Sequence, residues 1–182
     1  MTTRAEVEQT KQWLAQVIIG LNFCPFAKKE FVNQTIHYYA SEQEQLKSAL
    51  SEFLAQCQYL QDKPEIETSL LIYKQGFRDF NRFLDLVDYA NDVLIDYDFE
   101  GVFQIATFHP KYCFADANYD DAGNFTNRSP YPTLHLIRED SMEKVLKVYK
   151  NPEAIPANNI ALANNKGAQY FKTLLMKIKN SS

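Results

Sequence analysis

The chain has 182 residues, with 19 Lys and Arg against 23 Asp and Glu, a formal net charge of −4, and 46% hydrophobic residues. That length favours one domain spanning 1–182, and folding buries roughly 70% of the surface the unfolded chain exposes, so no disulfide or metal staple is required. The acidic balance argues against nucleic acid or an anionic membrane as the main partner, and no apolar run approaches the roughly 20 residues that a membrane helix needs.

The first helix is predicted over Arg4 to Ile19, where Leu14, Val17, Ile18 and Leu21 follow helical spacing and Gly20 supplies a stop. Leu21 to Ala27 reads as a compact turn. Thr35 to Tyr39 is a strand by its β-branched and aromatic content. Ser41 is predicted to cap a second helix, with Glu44 three places on completing a capping box, and Leu46, Ala49, Leu50, Phe53, Leu54 and Cys57 forming the inward stripe. Glu67 to Tyr73 is a second strand, apolar enough to be covered on both faces. Asp79 is predicted to cap a third helix that turns Phe80, Phe83, Leu84, Val87 and Leu94 inward. Val102 to Phe108 and Pro132 to Arg138 are the third and fourth strands. Asp140 and Glu143 have the spacing of another capping box, and Pro156 starts a last helix with Phe171, Leu174, Leu175 and Ile178 on its apolar side. Four strands among five helices predict an α+β fold, a small mixed sheet packed against helices. The last three strands suit part of a ferredoxin-like unit, with the first strand standing in for a missing final one.

Between the third and fourth strands lies a long segment dense in hydrogen-bonding side chains, aromatics and prolines. Loops of this length are functional or disordered, and the fixed backbone angles of Pro110, Pro130 and Pro132 favour order. His109 ends a strand and precedes Pro110, which holds it extended. An imidazole in that position suits general acid–base work; the competing reading is a histidine satisfied by loop carbonyls. Asp120 and Asp121 are candidate orienting carboxylates, with Asp121 the catalytic choice, and they precede Gly123 and Asn124. Asp and Asn also build turns for local reasons. The calcium-loop pattern fails because Asp121 stands where glycine is needed and Asn127 where glutamate is needed. Arg128 offers a planar fork for a carboxylate or phosphate, with Asn124, Thr126, Asn127, Ser129 and Tyr131 as neighbouring ligand contacts. The alternative is an Arg128 that staples the loop through Asp120 or Asp121.

His135 falls mid-strand on the face of Thr133 and Ile137, and is read as a semi-buried imidazole and a lesser ligand contact. Cys24 is a candidate nucleophile beside Lys28 and Lys29, against the commoner fate of a buried free thiol. The three cysteines Cys24, Cys57 and Cys113 cannot all pair and suggest reduced thiols in a cytosol. No Cys-x-x-Cys supports a metal site. Glycine-rich phosphate loops and the serine-hydrolase elbow are absent from the sequence, and no cofactor is indicated.

Three blocks occur together: Gly20 to Ala27; Gly101 to Gln104 with Phe108-His109-Pro110; and Asp120-Asp121 with Thr126 to Pro132, Leu134-His135-Leu136 and Arg138-Glu139. In these the chain resembles a family of uncharacterised bacterial proteins known as a domain of unknown function, from Trp13 to Ile155-Pro156. The resemblance implies a bacterial cytosolic protein and supplies no reaction, cofactor or catalytic residue. Cys113 and Asp116 stand where the family pattern would place glutamine and glycine, which speaks against both as site members. Two functions follow from the residues. One is a small-molecule site for an anionic metabolite, with acid–base chemistry at His109. The other is a non-catalytic binding or scaffold protein whose 109–132 loop is structural or presents Tyr119, Phe125 and Tyr131 to a protein partner.

Overall fold

A computed structural model describes residues 4–181. Four strands, β1 (Ile36–Ser41), β2 (Thr68–Tyr73), β3 (Phe103–Phe108) and β4 (Thr133–Arg138), form one mixed sheet in the order β1-β2-β4-β3. β1 and β2 are parallel, joined through a crossover helix, while β4 is antiparallel to both β2 and β3. The first strand therefore stands where a ferredoxin-like unit carries its last. It is parallel to its neighbour because a helix, not a hairpin, connects the two.

Alternation along the strands divides the core into two. Leu71, Tyr73, Leu134, Leu136 and Phe103 face the helices α3 (Leu46–Asp62) and α4 (Phe80–Asp96). Leu70 and Ile72 face the other way, onto α1 (Ala5–Trp13) and the paired helices α6 (Ile155–Lys166) and α7 (Ala168–Lys179). All six β2 residues are buried, as a strand covered on both sides requires. Short α2 (Ala27–Asn33) and α5 (Glu139–Val148) flank the second core.

The first helix does not run as one α-helix to Ile19. It continues from Leu14 to Ile19 as a π-helix, a geometry that concentrates at functional positions. Gly20 N–H bonds Ala15 O five residues back, at 3.0 Å. A Cβ at Gly20 would lie 2.5 Å from Gln16 O, so only glycine fits. Asn22 then takes a left-handed φ of 55°, and Phe23 N–H returns to Ile18 O at 2.8 Å. The chain folds back sharply and brings Cys24 against the helix it has just left.

Two capping expectations are corrected. Ser41 closes β1 instead of capping α3; its hydroxyl bonds the Glu52 carboxylate and accepts from Gln43 N–H. At α5 the N-cap is Arg138, with no side-chain cap, so Asp140 and Glu143 form no capping box. The expected last helix is two, broken at Gly167 with φ 80°. Asp79 does cap α4, its Oδ1 accepting from Arg82 N–H at 3.0 Å. Arg138 reaches back to the end of α3, donating to Leu60 O and, at 3.1 Å, to Lys63 O. Replacing Asp79 by Ala removes the cap and costs about 1 kcal/mol of folding stability in urea unfolding, whereas Asp140→Ala leaves the midpoint within experimental error.

Candidate functional site

The segment from His109 to Pro132 is ordered, but most of its polar side chains face inward. Arg128 is 3% exposed. Its Nε donates to Tyr112 O at 3.0 Å and its Nη2 to Tyr119 O at 2.6 Å. The guanidinium lies between the rings of Tyr119 and Phe125, each centroid 4.5 Å away. Burial lowers its pKa. Asp120 instead meets Lys172 at 3.4 Å, and Asp121 Oδ2 accepts from Asn118 N–H at 2.8 Å. The arginine thus staples the loop through carbonyls and π faces instead of through either aspartate, by its Nε and Nη2 donors.

The neighbouring residues complete this scaffold. Asn124 is fully buried, with Oδ1 accepting from Phe114 N–H and Nδ2 donating to Asn118 O. Thr126 Oγ1 donates to Gly123 O, Asn127 Nδ2 to Thr107 O, and Ser129 Oγ to Tyr131 O. Tyr131 OH donates to Gln9 Oε1 at 2.6 Å. Phe125 is 3% exposed and stacks on Phe171, so it belongs to the core and not to a surface aromatic patch.

His109 is wholly buried between Phe80 and Phe83. Nε2–H donates to Phe77 O at 2.9 Å and Nδ1 accepts from Lys111 N–H at 2.9 Å. Both ring nitrogens are thereby occupied and the neutral tautomer is fixed; burial is the main cause of its lowered pKa. Phe77 carries a left-handed φ of 58°, an uncommon conformation for a large residue, and the imidazole holds its carbonyl. His109 lines neither of the hollows described next, and the structure does not bring it together with Arg128 in one opening.

The concave space lies on the second-core face of the sheet. A cavity of about 200 Å³ is floored by Thr68, Leu70, Ala106, Phe108, His135 and Ile137. The π-helical segment covers it with Leu14 and Ile18, next to Trp13. The turn contributes Cys24 and Phe26, α2 contributes Ala27 and Glu30, and α5 contributes Ser141, Met142 and Val145. Leu70, His135 and Ala106 are direct neighbours across three strands, and the small Ala106 leaves room over them. A second hollow of about 360 Å³ adjoins it, with Ile18, Cys24 and Phe108 common to both walls and Thr126, Asn127 and Asn159 on its polar side.

His135 Nε2–H donates to Thr68 Oγ1 at 2.5 Å, and Thr68 in turn donates to Leu136 O at 2.6 Å. This chain fixes the Nε2–H tautomer. No described residue donates to Nδ1, whose lone pair is left on a ring that borders the cavity. Burial drives the His135 pKa down to about 4, so the ring is neutral at physiological pH. Cys24 is half-buried, and burial raises its pKa despite the N–H groups of Phe26 and Ala27, which favour the thiolate. A thiol of that kind is a poor nucleophile.

The expected site residues therefore separate. Cys24 and His135 meet around the first cavity; Cys24, Thr126 and Asn127 border the second; Asn124, Arg128, Ser129 and Tyr131 hold the loop. Among the described residues no three His, Cys, Asp or Glu side chains are grouped to hold a metal, and no helix is long and apolar enough to cross a membrane. The sequence reading missed Leu70, Ala106, Phe26, Glu67 and Met142. Their one collective signal is a small residue, Ala106, on the face of a strand otherwise rich in large side chains.

A family model described as a protein of unknown function (DUF1415) matches residues 5–173, and the chain belongs to that family. No curated protein and no solved structure matches the chain.

Arg128→Ala leaves the carbonyls of Tyr112 and Tyr119 without their charged donor and lowers stability by about 3 kcal/mol or more in urea unfolding; Arg128→Lys, lacking the planar fork, restores little of it. Acid also destabilises the fold. An unfolded histidine takes up a proton near pH 6.5 but His135 does so only near 4, so its contribution is complete above pH 6.5 and is lost as pH falls towards 4, by about 3 kcal/mol. His109 acts in the same direction. Stability measured across that range for His135→Gln should show a shallower decline.

Proposed function

We propose that this DUF1415 chain is a small-molecule binding protein, and that its ligand occupies the cavity between the sheet and the π-helical segment. One observation carries the reading: an apolar hollow whose floor holds an enclosed, neutral imidazole with an unused acceptor nitrogen. Apolar walls with a few fixed polar groups are the usual composition of a ligand pocket. The apolar walls contribute affinity through burial, and His135 Nδ1 orients one hydrogen-bond donor of the ligand.

The geometry favours binding over catalysis. His135 is neutral and tied to Thr68, Cys24 is a protonated thiol, and His109 is committed to backbone on both nitrogens. None is poised to exchange a proton with a bound molecule near neutral pH. The free thiols Cys24, Cys57 and Cys113 support a reducing, cytosolic setting for this role.

The test uses 2-phenylethanol, an uncharged probe with one hydroxyl donor. At ten times its dissociation constant it should stabilise the fold by about 1.4 kcal/mol, a rise in melting temperature of roughly 3–6 °C for a chain of this size. Ala106→Leu fills the hollow with side-chain atoms and should abolish the shift while leaving the protein folded. An undiminished shift in Ala106→Leu would place the probe elsewhere.

A further inference from the structure

The polar groups around this cavity are of one kind. His135 Nδ1 offers a lone pair. Glu67 is a half-buried residue of the wall, and its carboxylate meets no cation or hydrogen-bond donor among the described residues. Glu30 is also in the wall, its Oε2 receiving only the Thr35 hydroxyl at 2.6 Å and its Oε1 lying 3.3 Å from Lys29. Thr68 has already given its proton to Leu136 O. The Ser141 hydroxyl and the weak S–H of Cys24 are lining donors with no partner among the described residues, and the hydroxyl can accept as readily as donate. No lysine or arginine lines the cavity.

In the second hollow Asn127 and Asn159 each commit one of two amide N–H groups, to Thr107 O and Phe23 O, and Asn127 Oδ1 accepts from Thr126. The carboxamide oxygen of Asn159 accepts no bond from a described residue. No lysine or arginine lines this hollow either. Acceptors and aromatic faces without a cation repel carboxylates and phosphates, because a buried anion with no positive partner is costly. The same surroundings favour an ammonium, through the Glu67 carboxylate and the rings of Trp13, Phe26 and Phe108.

We infer that the ligand of this cavity is a primary amine with an apolar body, its ammonium directed at Glu67 and His135 and its hydrocarbon part on Leu70, Phe108 and Met142. This rests on the proposed ligand role of the cavity and adds the sign and type of the polar end. Glu67 immediately precedes β2, beside Thr68, so the segment that enters the floor strand also supplies the counter-charge. The guanidinium that motivated the anion-binding expectation belongs to the loop and lines neither hollow, whereas the cavity is lined mainly by acceptors.

Three probes of matched shape separate the alternatives: 2-phenylethylamine, 2-phenylethanol and 3-phenylpropanoate, titrated calorimetrically into the full chain at pH 7. The amine should bind at least tenfold more tightly than the alcohol, and the carboxylate at least tenfold more weakly. Glu67→Gln should bring the amine-to-alcohol affinity ratio close to one, and Ala106→Leu should remove binding of the amine. If the three probes bind alike and Ala106→Leu abolishes all of them, the cavity is a ligand site but the amine preference is overturned. Carboxylate binding as tight as amine binding overturns it too. If none of the three binds the wild-type chain, the ligand role of the cavity fails and the amine assignment falls with it.

Discussion

A buried guanidinium fastened to main-chain carbonyls organises this molecule. Arg128 draws together Tyr112 and Tyr119, and its own carbonyl accepts the indole N–H of Trp13 at 3.0 Å. Trp13 is fully buried and packs edge-on against Phe108, centroid to centroid 4.9 Å. Arg128 and Trp13 together thus tie the long loop, the end of α1 and the end of β3 into a single wall. The charge persists there because Nε and Nη2 meet carbonyls and aromatic rings lie against the guanidinium. The cavity lies behind that wall, so the rigidity of the loop sets the shape of the hollow without contributing polar groups to its first chamber.

The blocks through which the sequence resembles its family meet around this wall. Gly20 to Ala27 makes the fold-back that closes one side of the cavity. His109 anchors Phe77 and donates its backbone N–H to the carbonyl of Asn127. Leu134-His135-Leu136 alternates between the two cores, the leucines to α3 and α4 and the imidazole to the cavity floor. Histidine does two different jobs in one protein. His109 is closed at both nitrogens and serves the backbone; His135 is closed at one and keeps the other for the hollow.

The strands were legible because their periodicity is physical: β2 carries the apolar run Leu70-Leu71-Ile72 and is buried throughout, and β4 places His135 on the face of Thr133 and Ile137 as period two requires. Helix α2 was not legible. Lys28, Lys29 and Glu30 leave it no apolar stripe, and none of its residues is buried. The Ser41 cap misled because the hydroxyl satisfies a local turn and Glu52 instead of a helix end. The polar loop was recognisable as ordered, but sequence does not reveal whether an arginine faces water or carbonyls. The cavity was least visible of all. Its walls come from α1, the π-helical segment, the turn, α2, all four strands and α5, and most are ordinary core residues whose convergence exists only in three dimensions.

Nitrogen NMR of the three imidazoles, recorded with and without saturating 2-phenylethylamine, addresses the account most directly. His135 Nδ1 should move on binding while both His109 nitrogens stay fixed, because one ring borders the ligand and the other is sealed by backbone. A shift of the His109 resonances with His135 unchanged would contradict the assignment of the site.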